Sequence, residues 1–122
     1  MPRPARDPAH LLPLPSAELH ILLALLDAER HGYAIKQEVA ERTAGEVQLG
    51  PGTLYGAIKR MLAVGTIEES GRRPAAAEDD ERRRYYRITP FGRAVAAAEA
   101  RRLEQLVALA RRKRLLGRLR PA

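Results

Sequence analysis

Few residues of this chain could carry covalent chemistry. The alcohol nucleophiles are Ser16, Ser70, Thr43, Thr53, Thr66 and Thr89. None has, near it in sequence, the base and orienting group that activate a hydroxyl. There is no cysteine, so disulfides and thiolate metal sites are excluded. His10, His20 and His31 lack the spacing of a ligand set. The run Glu78–Asp79–Asp80–Glu81 has the oxygen donors a hard cation wants, but on a loop without fixed geometry. Neither a P-loop nor a dinucleotide-binding glycine pattern occurs. No catalytic residue, metal or cofactor is expected.

What remains is chemistry that holds a phosphate. In GPGTLYGAIKRMLAVG (50–65), backbone N–H groups near Gly52 and Thr53 open a helix, where an anion is favoured. Thr53 and Tyr55 add hydroxyls there, and Lys59 and Arg60 add charge. Gly52, Gly56 and Ala63 make the outer face small enough for the helix backbone to approach a groove. Gly56 inside a helix costs roughly 1 kcal/mol against alanine, which close approach to DNA would explain. A second group, Arg72, Arg73, Arg82 and Arg83, flanks the acidic run.

The positioning elements follow from pattern. Residues 1–15 hold five prolines and read as a disordered or extended arm. Ser16 caps a first helix reaching about Ala28. Leu19, Leu22, Leu23 and Leu26 lie on one side of it, and Ile21, Leu25 and Ala28 on the other. A helix apolar on two sides needs two covers, which points to a partner subunit or a ligand. A second helix spans about 31–44, with Ile35 and Val39 inward and Gly45 just past its end. Gly50 and Pro51 start a third, with Leu54, Ile58, Met61 and Leu62 inside and Gly65 as its stop. Residues 66–70 and 83–89 read as two strands of a ribbon, with Tyr86 and Ile88 on one face and Tyr85 and Arg87 on the other. Thr89 and Pro90 open a last helix reaching Leu116 or beyond, rich in strong helix formers.

The formal net charge of +7 favours polyanionic partners. Residues 1–92 hold 13 basic and 13 acidic residues, so residues 93–122 carry the whole excess. The case for the third helix therefore rests on local pattern, not bulk charge. The apolar run LHILLALL is too short to span a bilayer. A cytosolic (cytoplasmic) protein without stable membrane association is expected.

Three short helices and a ribbon make a mostly α fold with a two-stranded β wing, the winged helix-turn-helix plan. The segments HGYAIKQEV (31–39), PGTLYGAIKRMLAVGTIEE (51–69) and RRRYYRITPFGR (82–93) resemble the PadR family of transcriptional regulators. The resemblance covers roughly residues 14–110. It implies a homodimeric, sequence-specific repressor on double-stranded DNA, with a palindromic operator. It places Gly52, Thr53, Tyr55, Gly56, Lys59 and Arg60 at the DNA, with Tyr33 and Lys36 beside them and Arg72, Arg73, Arg82 and Arg83 on the wing. It implies a C-terminal dimerisation helix packed on the partner's first helix, with Ile21, Leu25, Val95, Leu103, Leu106, Val107 and Ala110 at the interface.

The expected organisation is an arm (1–15), a winged helix-turn-helix domain (16–89), a dimerisation helix (90–116) and a basic tail (117–122). With 33 residues after Thr89, the chain resembles the subgroup with a single C-terminal helix. Some of its members bind flat aromatic drugs through tryptophan, which this chain lacks, so any small-molecule effector is left unnamed. The alternative is a winged-helix module that binds a protein or, through its basic tail, an anionic membrane surface.

Overall fold

A computed structural model describes residues 6–71 and 84–117. After a 3-10 helix at Pro8–Leu11 come α1 (Ser16–Leu25), β1 (Arg30–His31), α2 (Gly32–Arg42), α3 (Pro51–Val64), β2 (Ile67–Glu69), β3 (Tyr85–Ile88) and α4 (Pro90–Arg112). The strands form an antiparallel sheet in the order β1-β3-β2. Among the described residues, no helix is long and apolar enough to cross a membrane.

The core gathers Ile21, Leu22, Ile35, Val39, Leu54, Ile58, Met61, Ile67, Tyr86 and Val95 around α1. That helix meets α2, α3, α4 and β3. Its two apolar sides are thus covered within one subunit: Ile21, Leu22, Ala24 and Leu25 are all buried. This corrects the expectation that Ile21 and Leu25 wait for a partner. The second cover is the first half of α4, which brings Val95 and Ala96 back onto α1. Leu23 on α1 and Leu26 just past its end are left exposed.

Helix α1 stops at Leu25, short of Ala28, and donors from elsewhere in the chain meet the carbonyls at its end. Arg30 Nε donates to the Ala24 carbonyl at 2.8 Å, and the Arg93 guanidinium to that of Leu26 at 3.4 Å. The chain then joins the sheet, with Arg30 opposite Tyr86 and His31 opposite Tyr85. The ribbon is therefore three-stranded. Two residues are too few to show alternation, so β1 leaves no pattern in the sequence.

The turn between α2 and α3 is locked locally. Thr43 Oγ1 donates to the Val39 carbonyl at 2.8 Å and accepts from Val47 N–H at 3.0 Å. Gly45 takes φ +81 just past α2, and its N–H reaches the Ala40 carbonyl at 2.7 Å. Helix α3 has the expected caps, Gly50 extended and Gly65 at φ +85. Its buried stripe is Leu54, Ala57, Ile58 and Met61, while Leu62 is exposed. The i, i+3, i+4, i+7 rule selects Ala57, and Leu62 at i+8 has rotated off the stripe.

At the other end, α4 stops at Arg112, earlier than expected. Arg114 takes φ +60, and the Leu115 N–H closes on the Ala110 carbonyl at 2.9 Å. The prolines of the first fifteen residues suggested an extended arm, yet its described part lies against α4. Asp7 caps the 3-10 helix, and Leu11, Leu12 and Leu14 pack on the core. The anchor is Glu99, 2% exposed, whose Oε2 accepts from Leu14 N–H at 3.0 Å. Arg102 holds the same carboxylate at 2.5 and 3.0 Å. That pair and the Leu14 N–H hold the Glu99 carboxyl below the usual range despite burial.

Candidate nucleic-acid interface

Helix α3 presents the face that the sequence singles out. Gly50 makes no side-chain cap bond, and Pro51 has no N–H. The first helical bond runs from Leu54 N–H to the Gly50 carbonyl, so the Gly52 and Thr53 N–H groups open outward. Thr53, Lys59 and Arg60 are exposed, as is Gly52, and Gly56 is half-buried. A Cβ added at Gly52 would meet nothing within 4 Å; at Gly56 it would meet only the Arg60 guanidinium, at 3.5 Å. Nothing in the packing of the described residues demands glycine at either place.

The other side chains of this face are held by neighbouring elements. Tyr55 is 52% exposed, yet its ring lies over the start of α2: a Cβ at Gly32 would come 2.8 Å from the phenol oxygen. Gly32 is the residue that lets the tyrosine settle there. Arg60 Nε lies 3.4 Å from Glu18 Oε2, and Glu18 is much the more buried of the pair. Sequence reading singled out neither Gly32 nor Glu18, because each acts on α3 from another helix. Tyr33 is exposed and Lys36 half-buried on α2. Among the described residues, Lys36 and Lys59 make no ion pair.

On the ribbon, Tyr86 is buried, and burial raises its phenol pKa first of all. Tyr85 sets its ring edge-on to His31, centroids 5.3 Å apart, while His31 Nδ1 accepts from Ala34 N–H at 3.1 Å to cap α2. Arg87 pairs with Glu68 at 2.7 Å and Arg84 with Glu69 at 3.2 Å, so this stretch is charge-neutral. Arg72, Arg73, Arg82, Arg83 and the acidic run 78–81 lie outside the described residues. Among the described residues, no three His, Asp or Glu gather as a metal site.

Of the residues expected at a subunit interface, Val95 belongs to the subunit's own core with Ile21 and Leu25. Beyond Glu99, α4 buries nothing. There Leu103, Leu106 and Val107 are exposed and Ala110 is half-buried.

The family model described as "Transcriptional regulator PadR-like family" matches residues 21–98. The transcriptional regulator Rv3488 of Mycobacterium tuberculosis is 36% identical over 91 residues, covering 75% of this chain and 78% of that protein. An uncharacterized 37.1 kDa protein in transposon TN4556 of Streptomyces fradiae is 38% identical over 94 residues. That match covers 74% of this chain but spans only 24% of the Streptomyces protein. In fold, the chain is similar to a crystal structure of a PadR family transcription regulator from Clostridium difficile, with a TM-score of 0.69 at 24% identity, covering 80% of this chain and 97% of that one. The match over most of the helix-turn-helix and ribbon, together with the fold, assigns the chain: it belongs to the PadR-like family of transcriptional regulators.

Proposed function

We propose that the chain is a homodimeric repressor that inserts α3 into the major groove of a roughly palindromic operator, at its own or a neighbouring promoter. The observation that carries this reading is the outer face of α3. Among the described residues, Gly52 faces open space and Gly56 has room for a side chain beside Arg60, with Thr53, Tyr55 and Lys59 around them. Small residues let the helix axis come close, the opening N–H groups hold a phosphate oxygen, and the two cations reach base edges or phosphates. Tyr33 and Lys36 stand beside that face on α2. The wing arginines 72, 73, 82 and 83 supply further phosphate contacts, and the acidic run 78–81 keeps the wing tip off the DNA.

The second copy packs on the free half of α4. Leu103, Leu106 and Val107 there, with Leu23 of α1 and Leu26 just past it, leave apolar surface exposed on one subunit. Burying such side chains stabilises by roughly 1.5–3 kcal/mol each. Two-fold symmetry then sets two half-sites about one helical turn apart or a multiple of it. Selection of binding sites from random DNA by gel shift tests the reading. The chain should enrich a symmetric sequence, and Lys59→Ala and Arg60→Ala should abolish the enrichment. Enrichment that survives both substitutions would place the reading surface elsewhere.

A further inference from the structure

Three consecutive carbonyls at the end of α3 receive donors from outside the helix. The Val64 carbonyl accepts from the Arg6 guanidinium, that of Gly65 from Thr89 Oγ1 at 2.6 Å, and that of Thr66 from Thr89 N–H at 3.1 Å. Thr89 is the N-cap of α4, so the helix proposed to read DNA is fastened to the start of the helix proposed to dimerise. Arg6 closes the fastening. Its guanidinium lies 4.2 Å from the centroid of the Phe91 ring, on the first turn of α4, while donating to the end of α3. A cation is favoured at a helix C-terminus and over an aromatic face, and here one group occupies both positions.

The arm holds Arg6 in place. The 3-10 helix packs on α4, and Leu14 N–H is anchored to buried Glu99. The segment 6–14 thus straps the end of α3 to the middle of α4. We propose that Arg6 is a positioning residue that fixes the angle between α3 and α4, and thereby the half-site spacing the dimer accepts. This rests on the DNA reading above. The lever is long: 23 residues of α4 span about 35 Å. A tilt of about 10° over that length displaces α3 by about 6 Å, close to two base-pair steps of roughly 3.4 Å. A loosened joint therefore widens the range of spacings rather than removing the contacts.

The test uses the full chain, its Arg6→Ala and Arg6→Lys variants, and Phe91→Leu, which removes the ring while keeping an apolar side chain. Each binds the selected operator and versions with one base pair added or removed between half-sites. The unsubstituted chain should lose roughly tenfold or more in affinity at altered spacing. Arg6→Ala should reduce that penalty to about threefold or less, while binding to a single half-site duplex changes by less than about twofold. Arg6→Lys and Phe91→Leu should fall between. An unchanged spacing penalty in Arg6→Ala, or equal weakening on every duplex, overturns the proposal. A second measurement needs no DNA. The chain lacks cysteine, so Ala63→Cys and Gln105→Cys admit two labels, one on α3 and one on α4. Their distance distribution, read with unlabelled chain in excess, should broaden in Arg6→Ala; an unchanged distribution also overturns the proposal. Broadening in a chain that selects no DNA would sink the DNA reading and its spacing consequence, leaving the positioning role.

Discussion

Glycine has opposite meanings at two places in this chain, and each can be tested by adding one methyl group. A Cβ at Gly92 would sit 2.0 Å from the Thr66 carbonyl oxygen, a backbone atom that cannot step aside. Gly92→Ala should cost about 1–3 kcal/mol or more in urea denaturation, as overpacking against a fixed wall does. At Gly56 the added methyl meets only ordinary contact. Gly56→Ala should therefore gain roughly 0.5–1 kcal/mol from helix propensity while weakening operator binding in a gel shift. A variant that is both more stable and equally tight on DNA would refute the close-approach role. Glu99 belongs to the same scale. Arg102 and the Leu14 N–H lower its folded pKa. Its contribution is fully present above the unfolded value of about 4.3 and is lost as pH falls through the lower folded value. Thermal melts from neutral to acid pH should show the advantage over Glu99→Gln shrinking in that window. The sequence shows Glu99 only as one acid in a basic helix; its partner Leu14 lies 85 residues away along the chain.

At the scale of elements, helix starts and stops were legible where a single residue type sets the backbone. Gly50, Pro51 and Gly65 bound α3, and Thr89 and Pro90 open α4, as their types dictate. Thr89 does more than cap, since its hydroxyl both accepts from Gly92 N–H and donates to the Gly65 carbonyl. Thr89→Ala should cost about 1–2 kcal/mol and Thr89→Ser much less, measured by chemical denaturation. Ends decided by distant side chains were not legible. At the stop of α1, the Ala24 and Leu26 carbonyls accept from Arg30 and Arg93, which no local pattern records. The outer half of α4 is the element most exposed to test. Leu103→Glu with Leu106→Glu should yield monomers in sedimentation without loss of helicity, because neither side chain is buried in the subunit core. A dimer that survives would place the interface elsewhere.

At the scale of the whole molecule, charge is segregated along the chain: the excess of +7 falls in residues 93–122, after the helix proposed to read DNA. DNA affinity should nevertheless fall about 10³–10⁵-fold between 50 and 200 mM salt if the dimer makes roughly 6–10 phosphate contacts. A flat response in a fluorescence titration would argue against direct phosphate binding. The amino-acid sequence by itself determined the helix-turn-helix order, the caps of α3 with Leu54, Ile58 and Met61 of its inner stripe, the buried face of the return strand and the small outer face with its two cations. Those features are local, fixed by propensity and by periods of 3.6 and 2 residues. Only the tertiary structure decided that the chain itself buries residues on both apolar sides of α1. It also decided that Arg30–His31 adds a strand, that Gly32 seats Tyr55 and Glu18 pairs with Arg60, and that the arm straps α3 to α4. Each of those contacts joins residues far apart in sequence, where no periodicity records the partner. A leucine facing the core, a leucine facing a second subunit and a leucine facing water are the same letter until the chain has folded around it.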